Sequence, residues 1–212
     1  MGPILGKGGR TQTFYLQEGI EKTYSSQPQR RDLTEVEVFA GFQKQWFSSP
    51  LLSQFGLAVS TATAMPLQGE IWEDADPEFN NFIYNYKLEH TLLAFKGKVF
   101  SSGLFMSPYL SGSVGIGFNT ARTFTITPRI PEEVPAPPFK HRTKTAFSYT
   151  LGIGLQKEIN NNWQWGIGYE YSDWGKSQLA RADGQTLNSG LSLSHLRTNG
   201  LLINITYLPT FS

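Results

Sequence analysis

Cysteine is absent from the 212 residues of this chain. That absence excludes structural disulfides, thiolate metal ligands and a catalytic thiol. Long apolar runs are also absent, since no stretch approaches the roughly 18 apolar residues that a membrane-spanning helix requires. Charge of one sign is scarce as well: 18 Lys and Arg residues face 17 Asp and Glu residues, for a net charge of +1. We therefore predict no nucleic-acid partner, because bulk charge offers nothing to attract one.

Aromatic residues and glycine are abundant instead. Aromatics make up 14% of the chain, glycines number 21, and charged residues reach only 17%. This mixture favours strands over helices, whose surfaces are usually rich in charge. The mean hydropathy of -0.29 argues against a helical membrane protein, but the strands of a membrane β-barrel are only half apolar. The start, MGPILGKGG, has no basic region followed by an apolar one, so an exported protein would appear here without its signal peptide.

A period of two runs through most of the chain and predicts β-strands. The clearest case is the segment WQWGIGYEYSD, in which every second residue is large and apolar or aromatic. Similar alternation predicts eight strands, at about 11–21, 34–46, 51–61, 81–94, 107–120, 146–158, 163–172 and 196–208. We expect a single domain over residues 1–212, with residues 1–10 flexible.

The predicted connections alternate in length. Short ones are expected at 47–50, 95–99 and 158–162, and long polar ones at about 22–33, 64–80, 119–143 and 175–195. Up-and-down membrane barrels have short turns at one end and long loops at the other, whereas Greek-key sandwiches do not segregate their loops in this way. The fold class we predict is therefore all-β, an eight-stranded antiparallel up-and-down transmembrane β-barrel.

Both faces of the predicted strands suggest a role. Aromatics near strand ends suit the membrane–water interface, and the predicted aromatic belt is Trp46, Tyr84, Trp163, Trp165, Tyr171, Trp174 and Tyr207. Eight strands enclose too little space for an open channel, so charges on the polar face should fill the lumen as a network of ion pairs. The predicted lumen network is Glu35, Glu37, Lys87, Glu89 and Glu170.

Two late segments, GIGYEYSDWG and LLINITYLPTF, carry a resemblance to a known family. They resemble the last two strands of the eight-stranded outer-membrane barrels of Gram-negative bacteria, the OmpA-like transmembrane domain and the opacity proteins. The segment SPYLSGSVGIGFNT resembles the middle strands of that family. The resemblance implies an outer-membrane location and contacts with lipid, lipopolysaccharide and the insertion machinery. It also implies host or extracellular ligands at the loops. Phe211 matches the family's terminal aromatic insertion signal, although Ser212 follows it here.

Two other functions fit the alternation. One is a soluble, lipocalin-like barrel that turns its apolar face inward to a ligand. The other is a lipid-modifying barrel enzyme that uses Ser192 or Ser194 with His195. Because neighbours on a strand point to opposite faces, Ser194 and His195 should diverge, so we predict no catalytic residues, no enzyme activity and no cofactor.

Two charged segments also have competing interpretations. Five carboxylates within residues 68–80 would suit a hard cation, but they lack an EF-hand order and are better explained as a solvated acidic loop without a metal. Lys140, Arg142 and Lys144 follow the proline-rich segment 129–139. These three cations are predicted to contact the phosphates of lipopolysaccharide.

Overall fold

A computed structural model describes residues 2–6, 11–26, 29–45, 50–160 and 162–207, with the backbone alone described for 2–6 and 29–33. Within these ranges the secondary structure consists of strands and one 3₁₀ turn, Pro77–Phe79. The strands are β1 (Gly2–Gly6), β2 (Gln12–Gln17), β3 (Ile20–Ser26), β4 (Gln29–Leu33), β5 (Glu35–Gln45), β6 (Leu51–Glu73), β7 (Asn80–Ser101), β8 (Ser107–Pro128), β9 (Phe139–Lys140), β10 (Arg142–Glu158), β11 (Trp163–Asp173), β12 (Ser177–Gln178), β13 (Ala180–Ala182), β14 (Ser192–Leu193) and β15 (Arg197–Tyr207). No helix in the described part of the chain is long and apolar enough to cross a membrane.

The main sheet is antiparallel and curled into a half-barrel. Its order is β15-β11-β10-β8-β7-β6-β3-β2, and β5 pairs with the amino-terminal part of β6. Separate two-stranded pairs join β1 to β4, β12 to β14 and β13 to β9. In addition, β1 lies alongside β15. The prediction of an all-β, antiparallel architecture is confirmed.

Three central strands are much longer than predicted. β6 has 23 residues, and β7 and β8 have 22 each. The segments 64–80 and 119–143, predicted as loops, are therefore largely strand. The predicted turn at 95–99 is also wrong, because these residues continue β7: Phe95 and Val99 face outward, and Lys96 and Lys98 face inward.

Two β-bulges explain why the long strands escaped prediction. One extra residue interrupts β6 between Ala62 and Met65, opposite His90 and Leu88 of β7. A second interrupts β8 opposite residues 85–87 of β7, where Thr123 has a positive φ of 56°. Each bulge reverses which positions of its strand face inward. Strict alternation therefore breaks at these points, and the sequence beyond them reads as a loop.

The bulges divide the sheet into two halves of opposite polarity. The lower half comprises residues 35–45, 51–62, 90–101, 107–121, 145–158, 163–172 and 199–207. The upper half comprises residues 11–26, 65–73, 80–89, 122–128, 139–144 and 174–196. In the lower half the convex face is apolar and the concave face is mostly polar, whereas in the upper half the concave face is apolar.

The upper half has a conventional hydrophobic core. Phe139 packs at its centre, with ring centroids 5.2 Å from Tyr24 and 5.0 Å from Phe124. Tyr84 lies 5.5 Å from Phe124, and its hydroxyl donates to the carbonyl of Ser25 at 2.9 Å. Burial raises the pKa of Tyr24 and of Tyr84, so both stay neutral. The placement of Tyr84 in an outward aromatic belt is wrong.

The amino-terminal region also differs from prediction. The single strand expected at 11–21 is a hairpin of β2 and β3, turned at Gly19, whose φ of 78° is accessible to glycine at little cost. This hairpin pairs with the end of β6 and belongs to the upper half. Residues 2–6, expected to be flexible, form β1.

Candidate functional site: the apolar band and the polar interior

The convex face of the lower half is a continuous apolar band. Large side chains stand out from it on every strand, among them Phe42 at 82% exposed, Phe95 at 72% and Ile205 at 71%. The band continues from strand to strand, because Ile153 of β10 pairs with Leu110 on one side and Tyr169 on the other. Monomeric soluble proteins rarely expose apolar patches of this extent, so the band is a candidate interaction surface.

The aromatic belt is only partly where the sequence placed it. Trp163 and Tyr207 stand on the convex face at the lower end, with ring centroids 4.9 Å apart. Trp165 and Tyr171 also lie on the convex face, partly exposed. Trp46 and Phe211 lie outside the described residues.

Trp174 is not part of the belt, because it is buried between the two halves with 1% of its surface exposed. Its ring stacks on His90 at 4.4 Å and 6°. The Oδ1 of Asn119 lies 2.7 Å from Nδ1 of His90, and its Nδ2 donates to the Trp174 carbonyl at 2.7 Å. A Cβ on Gly117 would lie 2.7 Å from Cε1 of His90, so only glycine fits beside the ring. This packed layer separates the polar interior from the upper core.

The concave face of the lower half holds a charged cluster centred on Lys96. Its Nζ donates to Oε1 of Glu37 at 2.6 Å and to Oε2 of Glu170 at 3.3 Å. These residues belong to β7, β5 and β11, so the ion pairs connect strands that are not neighbours in the sheet. The amides of Gln54 and Gln164 meet in the same way, across β6 and β11, at 3.1 Å. The sheet is thus curled tightly enough for side chains to fill its interior.

The structure brings together only some of the five residues predicted to form a lumen network. Glu37 and Glu170 are brought together, and Glu35 lies beside them at the edge of a cavity. Lys87 and Glu89 lie instead on the convex side of the upper half, where Glu89 pairs with Arg122. They were misplaced because the polarity of the faces reverses between Leu88 and Lys96 on the same strand.

Lys96, Lys98 and Tyr109 were missed by sequence reasoning. Lys98 lies over the Tyr109 ring, with Nζ 4.3 Å from the centroid. Two glycines make room for that ring: a Cβ on Gly168 would lie 2.1 Å from the Tyr109 hydroxyl, and a Cβ on Gly154 2.6 Å from Cζ. The available signal was the unbroken alternation of residues 93–99, which the two lysines concealed.

A cavity of about 320 Å³ opens beside this cluster, between β5 and β15. Lys98 and Tyr109 line its polar side. Its apolar rim includes Val36 of β5 and Ile203 of β15. The cavity therefore connects the polar interior with the convex face.

Basic side chains cluster at two places in the upper half. Lys140 pairs with Asp183 at 2.5 Å, and Lys144 donates to Oε1 of Gln178 at 3.0 Å. The guanidinium of Arg142 reaches the same Gln178 oxygen at 3.5 Å. The second place is the convex face just above the apolar band, where Lys87 and Arg122 are cross-strand partners and both are exposed.

The hydrolase and cation-site alternatives gain little from the geometry. His195 is oriented by the buried carboxylate of Asp173, with Nδ1 3.1 Å from Oδ1, but no serine in the described ranges hydrogen-bonds to His195. The hydroxyl of Ser192 instead donates to Oε1 of Gln12 at 2.8 Å.

In the acidic segment, Glu70 pairs with Arg129 and Glu73 with Lys22, both at 2.6 Å. Among the described residues no three metal-ligating side chains converge.

Comparison with protein-family models finds no match, and comparison with curated proteins finds no significant sequence match.

Proposed function

We propose that this chain is an integral outer-membrane β-barrel protein of Gram-negative bacteria whose upper half acts in surface interaction or adhesion. The observation that carries the proposal is the reversal of polarity along the strands. Below the bulges, apolar side chains face outward and charges face inward. Above them, charged side chains such as Lys87 and Arg122 face outward and a hydrophobic core lies inside.

Lipid around the lower half accounts for both of its faces. Apolar side chains on the convex face gain free energy in hydrocarbon, at about 25 cal/mol per Å² removed from water. The inner strands β6, β7, β8, β10 and β11 are hydrogen-bonded to neighbours on both sides, as hydrocarbon requires of a strand backbone. Trp163 and Tyr207 at the lower end suit the membrane–water interface, where an aromatic ring with a polar tip is favoured.

The soluble ligand-binding alternative is less well supported. A lipocalin-like barrel needs an apolar interior to hold its ligand. The interior of the lower half contains the Lys96, Glu37 and Glu170 cluster instead. The apolar interior of the upper half is filled by its own aromatic side chains.

The finer architecture that we propose is a closed eight-stranded barrel with a filled lumen. Seven strands of the lower half, β5, β6, β7, β8, β10, β11 and β15, supply seven neighbours. An eighth position exists where β1 lies between β4 and β15. The ion pairs of Lys96 cross the interior and occupy it with side chains. An occupied interior supports a structural or adhesive role over conduction.

The upper half is the part that would contact partners. β6, β7 and β8 are about twice the 9–11 residues that a tilted span requires, so they project beyond the bilayer. Lys87 and Arg122 lie where the phosphates of lipopolysaccharide or another anionic lipid would meet the apolar band. The connections above the core would then be held rigidly for recognition at the cell surface.

Fractionation and vesicle flotation test the proposal. The refolded chain is expected to float with phosphatidylcholine vesicles, to resist carbonate extraction, and to migrate differently on SDS gels before and after boiling. A monomer that stays soluble without detergent and fails to float would overturn the membrane assignment. Migration that does not change on boiling would argue against a stable barrel.

A further inference from the structure

The cavity between β5 and β15 separates two strand edges. Among the described residues, positions 36–42 of β5 pair only with β6, and β15 pairs only with β11. Strand edges that expose N–H and C=O groups are templates for an added strand, and in lipid an unpaired edge is especially costly. In the lipid that we propose around the lower half, the facing edges of β5 and β15 would therefore need another strand to pair with.

Strand direction restricts what can complete the gap. Successive spanning strands alternate in direction from β5 through β6, β7, β8, β10 and β11 to β15. β5 and β15 are the first and seventh of this series, so both run the same way. A single strand running in the opposite direction would be antiparallel to both edges.

β1 already occupies this position at the upper end. It pairs antiparallel with β4, which leads into β5, and it lies alongside β15. The pairing of β1 with β4 sets the register of any chain that precedes β1. Gly2 faces Leu33, and because the two strands are antiparallel, the residue before Gly2 faces the residue after Leu33, and so on. Chain that enters β1 from its amino side would pass down the gap between Val36 and Ile203.

We propose that the gap between β5 and β15 is a strand-acceptor groove, whose occupant is an extended segment joined to the amino end of β1. Alternate residues of this segment face outward beside Val36 and Ile203, where apolar side chains fit. The others face the side chains of Lys98 and Tyr109, where small or polar residues fit. The segment completes the eighth wall of the proposed barrel, so this inference rests on the proposed function.

The absence of cysteine makes the groove testable by disulfide formation. An extension of about eight alternating Val and Ser residues is placed ahead of the amino end, with one cysteine at the third position before Gly2. In the proposed register that cysteine faces Val36→Cys. The control extension carries proline at two positions, which removes the N–H groups that pair with an edge. We expect a disulfide on oxidation, and about tenfold less of it in the proline control.

Each outcome decides the proposal. Equal disulfide yields for the two extensions would overturn it, and so would disulfides between two copies, which would assign the groove to a strand supplied in trans. A separate variant carries Val36→Cys with Ile203→Cys and an extension of Val and Ser without cysteine, and it asks whether the two edges still pair directly. An intervening strand holds their Cα atoms about 10 Å apart, beyond the limit of about 7 Å for a disulfide. A disulfide in this variant would therefore also overturn the groove.

Vesicle flotation of the same samples keeps the two proposals separate. If the chain floats with vesicles but no register-specific disulfide forms, the groove is wrong and the membrane assignment stands. If the chain does not float, the membrane assignment fails whatever the disulfide result.

Discussion

The lower and upper parts of β7 use the same alternation for opposite purposes. In the lower part, Phe95 faces outward and Lys96 faces inward. In the upper part, Lys87 faces outward and Leu88 is completely buried. A period of two thus establishes that a strand has two different faces, but it does not say which of the two meets water.

Bulges on both neighbours of β7 lie at the change of polarity. They shift the facing of β6 and β8 by one residue while β7 keeps its own. Directly at this level, Trp174, His90 and Asn119 form the buried layer between the charged interior and the aromatic core. The boundary is therefore built into the backbone as well as into the side chains.

The largest expected effect comes from removing the central cation of the lower half. Lys96→Met leaves Glu37 and Glu170 buried without their partner, and we expect a loss of about 3–5 kcal/mol in the free energy of unfolding. Lys140→Met breaks an exposed pair in the upper half, that of Lys140 with Asp183, and should cost about 1 kcal/mol or less. Urea unfolding in lipid vesicles measures both. Equal losses would mean that the lower interior is well hydrated.

The second-largest effect is expected from shortening a leucine, and it should differ between the two halves. Leu88→Ala opens a cavity in the upper core and should cost about 2–5 kcal/mol. Leu93→Ala, on the convex face five positions along the same strand, should lose only transfer free energy, about 2 kcal/mol at most, because lipid chains refill the space in the membrane that we propose. The same unfolding assay measures the difference. A larger loss for Leu93→Ala would contradict the placement of the two faces.

A lysine on the convex face sharpens the comparison further. Ile153→Lys places a charge in the middle of the apolar band, and we expect a loss of about 2–4 kcal/mol in lipid vesicles. Asn85→Lys adds the same charge to the exposed convex face of the upper half and should change stability by no more than about 0.5 kcal/mol. If both variants fold with equal stability in vesicles, the band does not face hydrocarbon.

The smallest effect concerns the lipid surface. Lys87→Gln removes an exposed cation just above the apolar band and should reduce the preference for anionic over zwitterionic vesicles by about fivefold, or about 1 kcal/mol. Lys140→Gln is the matched control, since Lys140 already pairs with Asp183. Binding measured at low and high salt gives the comparison. A stronger effect at Lys140 would instead favour lipid contact at Lys140, Arg142 and Lys144, as the sequence predicts.

The sequence was sufficient to predict much of the lower half. Alternation in 146–158, 163–172 and 196–208 closely matches β10, β11 and β15. The alternation also puts Glu37 and Glu170 on the polar face of their strands, and the structure places both beside Lys96. These strands have no described bulge, so one parity holds from end to end.

The remaining site residues could not be found by parity. Lys96 and Lys98 looked like a polar turn because two charges in five residues usually mark solvent, and only the sheet reveals that they point into its concave interior. Trp174 and Tyr84 were predicted to lie at a membrane interface, because each stands near an end of a regular alternation. Both are buried, because the fold continues beyond that point and covers them.

By itself, the sequence determined that this chain forms antiparallel strands with one apolar and one polar face, because local sterics and a period of two fix the pleat and the side-chain alternation. Only the tertiary structure decided which face is inside at each level. That choice depends on where the sheet curls and where bulges reverse the facing, and these are properties of distant strands brought together. Lys96, Glu37 and Glu170 meet for that reason, although 133 positions separate the first carboxylate from the second (170 − 37).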